Sequence, residues 1–316
     1  MKYAHTSVLL TETVEGLAVK PDGVYADGTL GGGGHAAAIC EKLNGQGVFL
    51  GIDRDAEAIQ AAGERLKDYS CRKILVQASF EEITEILTAA EVGPLDGGVL
   101  DLGVSSYQLD NPERGFSYMH QGRLDMRMDA GSGVPDAAEV LATYSEAELT
   151  DVIRRYGEER WASRIAQFIC RERKKAPIET TAQLVEIIKA AIPASARREG
   201  PHPAKRTFQA LRIEVNDELG ALTRAVDRWI DALAPRGRLA VITFHSLEDR
   251  IVKDAFAERE TPGKKQQHAR MPLPAQGPAG DAKRINKKPV TAGEEELGEN
   301  PRARSAKLRI LEKKGP

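Results

Sequence analysis

Three acids, an aromatic residue and a histidine stand where strands of the chain would end. Asp27, Asp53 and Asp101 each close a short apolar run, at 24–26, 48–52 and 97–100. Phe80 comes shortly after another such run, 74–76, and His245 follows a fifth, 237–243. Carboxylates at strand ends hold cations and grip hydroxyl groups, an aromatic face stacks on a heterocycle, and an imidazole accepts a proton. The set suits a ligand that joins a nucleoside to positive charge.

What must position these groups is legible around the first two runs. Val24-Tyr25-Ala26 breaks into Asp27-Gly28-Thr29-Leu30 and four glycines at 31–34, an alanine-rich helix follows from His35, and a second strand stops at Asp53. Strand, glycine turn, helix, strand and terminal acid make a βαβ unit for a nucleoside-bearing cofactor, with the acid about 20 residues past the turn for ribose hydroxyls. The glycines supply positive φ and let a ligand rest on main chain. Gly31, Gly33 and Ala36 also satisfy the dinucleotide spacing, so the glycines leave NAD and other nucleosides open. Asp27 weighs against a pyrophosphate, which prefers a positive helix N-terminus. S-adenosylmethionine has no phosphate, a cationic sulfur and an ammonium group, and an acid is welcome beside it. Taken singly, Asp27 also reads as a helix cap or turn residue, Asp101 as a helix cap or half of an ion pair, Phe80 as core and His245 as structural. Asp27, Asp53, Phe80 and Asp101 on one rim argue for a site.

The 316 residues, 41% hydrophobic and 29% charged, can build one large domain or a core with an insertion. Cys40, Cys71 and Cys170 form no C-x-x-C pair, which argues against a zinc cluster or a disulfide framework and suits a reducing compartment. The N-terminal stretch lacks a signal-peptide pattern and no run approaches membrane-spanning length, so a cytoplasmic protein without membrane contact is expected. The net charge of −2 is unevenly spread. Residues 154–212 hold 14 Lys and Arg against 6 acids, residues 264–316 hold 13 against 6, and the remainder is strongly acidic. Segregated positive charge suggests a polyanionic partner, although a charge run is often only a solvated helix face.

The spacing predicts helices over 12–18 (capped by Thr6 or Ser7), 56–66 and 81–90. From 113 to 133 the chain reads as a long loop in which Arg114, Phe116, Asp125, Met126 and Arg127 could gate a site. Helices without intervening strands follow over 137–141, 146–156, 158–173 and 182–191. The expected division is a discontinuous domain of 1–109 and 206–316 around an inserted helical substrate-recognition domain, 110–205. One long helix is predicted over 202–235, with Lys205, Arg206, Phe208 and Arg212 near its start as candidate RNA contacts, or Phe208 as plain core. A basic loop over 261–284 and two last strands, 286–290 and 306–311, complete the chain.

The blocks HTSVLL, DGTLGGGGH, GIDRD, DLGVSSYQLD, RGFS, LDMRMD, YGEER, HPAKRTFQALRIEVNDEL, FHSLEDRIVK and ENPRARSAKLR run almost end to end. On them the chain resembles the bacterial family that methylates the exocyclic N4 of a cytidine in small-subunit (16S) ribosomal RNA. The resemblance implies an α/β fold of the class I S-adenosylmethionine-dependent methyltransferases, Rossmann-like with a mostly parallel seven-stranded sheet and an inserted helical domain. It also implies a target in the decoding region, on free rRNA or on the assembled small subunit, and leaves a homodimer open. By resemblance the methyl donor is held by Gly33, Gly34, His35, Asp53, Phe80, Asp101 and Gln108. Gly32 and Tyr107 depart from the residues common at those positions. Amino-methyltransferases generally end the fourth strand in an acid or amide followed by Pro-Pro-aromatic, and DLGVSS stands there instead. Asp101 or the Ser105/Ser106 stretch is therefore expected to orient the amine, with His245 the other candidate proton acceptor. The alternatives are a non-catalytic rRNA-binding assembly factor, a methyltransferase for another base or for DNA, and an NAD-dependent dehydrogenase.

Overall fold

The computed structural model describes residues 7–198, 200–263 and 279–315. It divides into two compact units, one drawn from the chain up to Gly103 and from Leu219 onward, the other Val104–Glu218. The chain begins with α1 (Leu10–Leu17), β1 (Val24–Asp27), α2 (Gly34–Lys42), β2 (Val48–Asp53), α3 (Ala56–Leu66), β3 (Arg72–Gln77), α4 (Ile83–Ala89) and β4 (Leu95–Asp101). The second unit contributes α5 (Ser106–Asp110), α6 (Ala137–Thr143), α7 (Glu146–Gly157), α8 (Ala162–Glu172), α9 (Thr181–Ala191) and α10 (Lys205–Asn216). Then come α11 (Glu218–Asp231), β5 (Leu233–Thr243), α12 (Ser246–Glu260), β6 (Ala282–Arg284), α13 (Glu294–Glu299) and β7 (Lys307–Lys313).

The seven strands form one sheet in the order β3-β2-β1-β4-β5-β7-β6. Neighbours from β3 to β5 pair in parallel, while β7 runs antiparallel to both β5 and β6. Strands covered on both faces are apolar at consecutive positions, which is why these runs do not alternate with polar residues. Tyr25, Phe49, Val99 and Ala240 face a core shared with α1, α2 and α3. Ala26, Leu50, Leu100 and Val241 face the opposite core, shared with α4, α11 and α12. The strand order reverses at β1, between β2 and β4, and the crevice beyond the carboxyl ends of such strands is where open α/β sheets bind ligands.

Several expectations are corrected. The 202–235 helix is two helices, broken at Asp217, whose φ of 48° is left-handed. The break separates two cores: Phe208, Leu211 and Val215 are buried with the second unit, Leu222, Val226 and Trp229 with the first. The unit boundaries accordingly fall after Gly103 and Glu218, where 109/110 and 205/206 were expected. α1 is capped by neither expected residue: its N-cap is Leu9 (φ 51°) with no side-chain cap, and the Leu9 N–H donates to Glu296 Oε1 at 2.8 Å. Thr6 lies outside the described residues, as does most of the expected 261–284 loop. The strand expected at 286–290 is reduced to a single bridge, Val290 to Leu308. There the Asn286 side chain takes the ladder's place, donating to Leu308 O and accepting from Ile310 N–H. The helix expected over 158–173 begins at Ala162, because Glu158 is left-handed (φ 48°) and ends α7.

The 113–133 segment is irregular, as expected, and its side chains build the second core. Phe116, Leu124 and Met126 are buried there, Arg127 forks onto Asp125, and Arg114 donates to the carbonyls of Arg127 and Met128.

Candidate active site

The turn after β1 is tied to both neighbouring strands. Gly28 N–H donates to Val99 O and Leu30 N–H to Ile52 O. Gly31 and Gly33 adopt left-handed φ of 47° and 72°, which L side chains resist. Asp53 closes the turn from β2: Oδ2 accepts from Gly31 N–H at 2.8 Å and Oδ1 from Asp55 N–H at 2.9 Å. Burial holds its carboxyl above the ordinary range despite these bonds. The acid read from spacing as a ribose ligand is thus also the clasp of the glycine turn.

Asp27 is 1% exposed. Its Oδ1 accepts from the Thr29 N–H at 3.0 Å and from the Thr29 hydroxyl at 3.3 Å. The same hydroxyl oxygen accepts from the Asp101 N–H at 2.6 Å, so Thr29 links the ends of β1 and β4. Burial, together with the Asp53 charge, pushes Asp27 up to about 7. Asp101 is raised well above the carboxylate range, by burial first and then by Asp27 and Glu248. Among the described residues its Oδ1 is buried without a hydrogen-bond partner.

His35, the second residue of α2, is 4% exposed, and burial lowers its imidazole to about 4. Nε2 lies 3.1 Å from Val8 O, which only accepts, so the ring is neutral with its proton on Nε2. The bare Nδ1 then faces Asp101 Oδ2 at 3.7 Å. That arrangement favours a protonated Asp101, in line with its raised pKa. Among the described residues no group of three His, Cys, Asp or Glu side chains is disposed to hold a metal ion.

Phe80 opens a 3-10 turn capped by Ser79. Its ring is half-buried, with the Arg54 guanidinium 5.9 Å from the centroid, and its carbonyl accepts from Trp229 Nε1 at 2.8 Å. His245 precedes α12, with Nε2 3.1 Å from Glu248 Oε1. Neither ring nitrogen has a hydrogen bond among the described residues, so this contact lacks hydrogen-bond alignment. Glu248, 2% exposed, accepts from the Phe244 N–H at 2.8 Å and adds to the repulsion on Asp101. Sequence reasoning missed Glu248 and Thr29. The signal for Glu248 was an acid three residues past a strand-end histidine, the capping-box position of the next helix.

The structure brings Asp27, Gly33, Gly34, His35, Asp53, Phe80, Asp101 and His245 into the first unit. Ser105, Ser106 and Gln108 belong to the second. There Ser105 Oγ accepts from the Gln108 N–H and Gln108 Oε1 from the Ser105 N–H, a capping box that starts α5. That role occupies the Ser105 hydroxyl oxygen proposed for catalysis, while Ser106 is the first residue of α5.

Of the four candidate RNA contacts, Lys205 and Arg206 are exposed in the first turn of α10. Phe208 is 3% exposed and meets Tyr118 edge-on at 5.7 Å, so it is core. Arg212 forks onto Glu218 at 2.7 and 2.9 Å and is drawn away from an RNA role.

A sheet that is parallel from β3 to β5, reverses at β1, has an antiparallel β7 between β5 and β6 and carries acids on its carboxyl edge defines a class I methyltransferase. The chain belongs to the MraW methylase family, whose sequence pattern matches residues 2–314. Three relatives carry the name ribosomal RNA small subunit methyltransferase H. That of Symbiobacterium thermophilum is 53% identical over 99% of this chain and 98% of the relative. Those of Clostridioides difficile and Heliobacterium mobile are each 51% identical over 99% of this chain and all of the relative. The protein is an enzyme, a methyltransferase that uses S-adenosylmethionine.

Proposed function

We infer that the protein methylates the exocyclic N4 amine of a cytidine in the decoding region of small-subunit ribosomal RNA, in the cytoplasm. The observation that carries the reading is the acidic edge of the sheet. Asp27, Asp53 and Asp101 surround a glycine turn with negative or protonated carboxyls, and one buried oxygen of Asp101 lacks a partner. Such an edge suits a ligand with cationic groups and repels a pyrophosphate. The relatives' names supply the substrate class.

S-adenosylmethionine supplies an electrophilic methyl group on a positively charged sulfur. In this reading Asp53 takes the ribose hydroxyls, Phe80 lies against the adenine, and Gly33 and Gly34 are donor contacts by resemblance, with Ala62 and Ser7 packed where their side chains would stand. Asp101 has the remaining task. The lone pair of the cytosine amine is conjugated with the ring, so the enzyme must orient the amine and accept its hydrogen bonds. Holding such a nitrogen in line contributes on the order of 7–11 kcal/mol at best. A bound cationic donor draws Asp101 from its protonated form to the carboxylate, which accepts at Oδ1, and His245 beside Glu248 is the group to which a released proton passes. The base must leave its stack to reach the site.

Incubating unmodified small subunits with methyl-labelled S-adenosylmethionine and mapping the labelled nucleotide tests this reading. One labelled cytidine in the decoding region is expected, lost in Asp101→Ala. Label on another base, or none, contradicts it.

A further inference from the structure

α8 turns Ile165, Ala166 and Ile169 into the core of the second unit. Away from that core it carries Arg164, Phe168 and Arg171, spaced i, i+4 and i+7 and therefore on one stripe. Both guanidinium groups sit over the same ring, Arg164 at 5.5 Å from its centroid and Arg171 at 4.2 Å. The two arginines are exposed and Phe168 is half-buried. The motif recurs nearby: Arg160 lies 5.2 Å over Trp161 and Arg155 lies 5.3 Å over Tyr156.

Residues 154–175 hold 8 Lys and Arg against 3 acids. Two of those acids are engaged locally: Glu159 accepts from the Trp161 N–H, and Glu172 pairs with Arg171 and Lys175. Among the described residues no carboxylate lies within ion-pairing distance of Arg160 or Arg164. A solvated helix face would place acids at i+3 or i+4 to relieve like-charge repulsion. Here an aromatic ring stands between the two arginines: Arg171 has only an exposed pair with Glu172 at 2.9 Å, weak in water, and Arg164 has no carboxylate partner among the described residues. A stacked guanidinium keeps its N–H edges turned outward in a fixed plane, the geometry that phosphate oxygens accept.

We propose that the Arg164–Phe168–Arg171 stripe of α8, with Arg160, contacts the ribose-phosphate backbone of the RNA substrate. This rests on the rRNA reading above and names the face that serves it, in place of Phe208 and Arg212. The test measures affinity for protein-free small-subunit rRNA and for unmodified small subunits across a salt series, using the full chain. The double variant Arg164→Glu/Arg171→Glu should bind rRNA about tenfold more weakly near 100 mM salt, with a salt slope shallower by about 1 for each phosphate no longer neutralised. Phe168→Leu keeps the volume but removes the π face and should weaken binding about threefold, whereas Phe168→Tyr should bind as wild type. S-adenosylhomocysteine binding, unchanged in all three, reports that the chain is folded. Unchanged rRNA affinity and slope in the double variant, while Lys205→Glu/Arg206→Glu weakens binding, overturns this inference and leaves the rRNA reading intact. Loss on whole subunits but not on protein-free rRNA assigns the stripe to a ribosomal protein and also overturns it. A wild-type chain with no affinity for either overturns both.

Discussion

Burial first, and then the neighbouring Asp53 carboxylate, raise Asp27 to about 7, so near neutral pH the side chain is divided between its two protonation states. The folded chain holds a proton there that the unfolded chain has released. Asp27 therefore lowers folding stability as pH rises from about 4 to about 7, and adds no slope above that. His35 acts in the opposite sense. With its imidazole lowered to about 4, stability is lost as pH falls from about 6.5 to about 4, in total about 3 kcal/mol. A cationic ligand favours the Asp27 carboxylate, so binding of S-adenosylmethionine should release protons and tighten as pH rises from about 6 to about 8. Calorimetry in buffers of different ionisation enthalpy reads the proton count, and Asp27→Asn should make the pH dependence shallower. Proton uptake, or an affinity indifferent to pH, would sink the assignment. Residue types at strand ends singled out Asp27, Asp53 and Asp101. They could not show that Asp53 clasps the turn or that Thr29 joins Asp27 to Asp101, since both depend on strands brought together by the sheet.

At the scale of elements, the carboxyl edge is held by what packs beneath it. Trp229 of α11 lies over β1 and β4 where Gly28 and Gly98 carry no side chain: an added Cβ at Gly28 would sit 2.5 Å from Trp229 Cζ2, and one at Gly98 2.9 Å from the same indole. From there Trp229 Nε1 reaches the Phe80 carbonyl, so one side chain fixes both the helix and the turn that presents Phe80. Gly28→Ala should therefore overpack this junction, cost about 1–3 kcal/mol and weaken S-adenosylhomocysteine binding. Thermal unfolding and calorimetry check both, and a melting temperature and affinity equal to wild type would contradict the account. The helices and parallel strands were readable because each has an apolar run or stripe of the right period. The break at Asp217 was not, because the stripe from Leu211 to Leu233 continues across it while the burying partner changes. Asn286 defeated the pattern differently, with a side chain standing in for backbone hydrogen bonds.

Over the whole molecule, positive charge in the helical unit and acids on the sheet's carboxyl edge suit the two ligands of opposite sign proposed above. The charge balance of 154–212 pointed to a polyanion, but not to the residues that face it. Phe208 sits in the same apolar stripe as Leu211 and Val215, and Arg212 finds Glu218 only because the helix breaks between them. The exposed Arg–Phe–Arg stripe of α8 became visible only when side-chain distances were known. The other ligand, the methyl donor, is proposed to lie on the acidic edge. A crystal structure with S-adenosylhomocysteine tests it most directly. The prediction is ligand density across the carboxyl ends of β1, β2 and β4, with ribose hydroxyls at Asp53 and the adenine beside Phe80. Density elsewhere, or an empty, unobstructed edge, would contradict it.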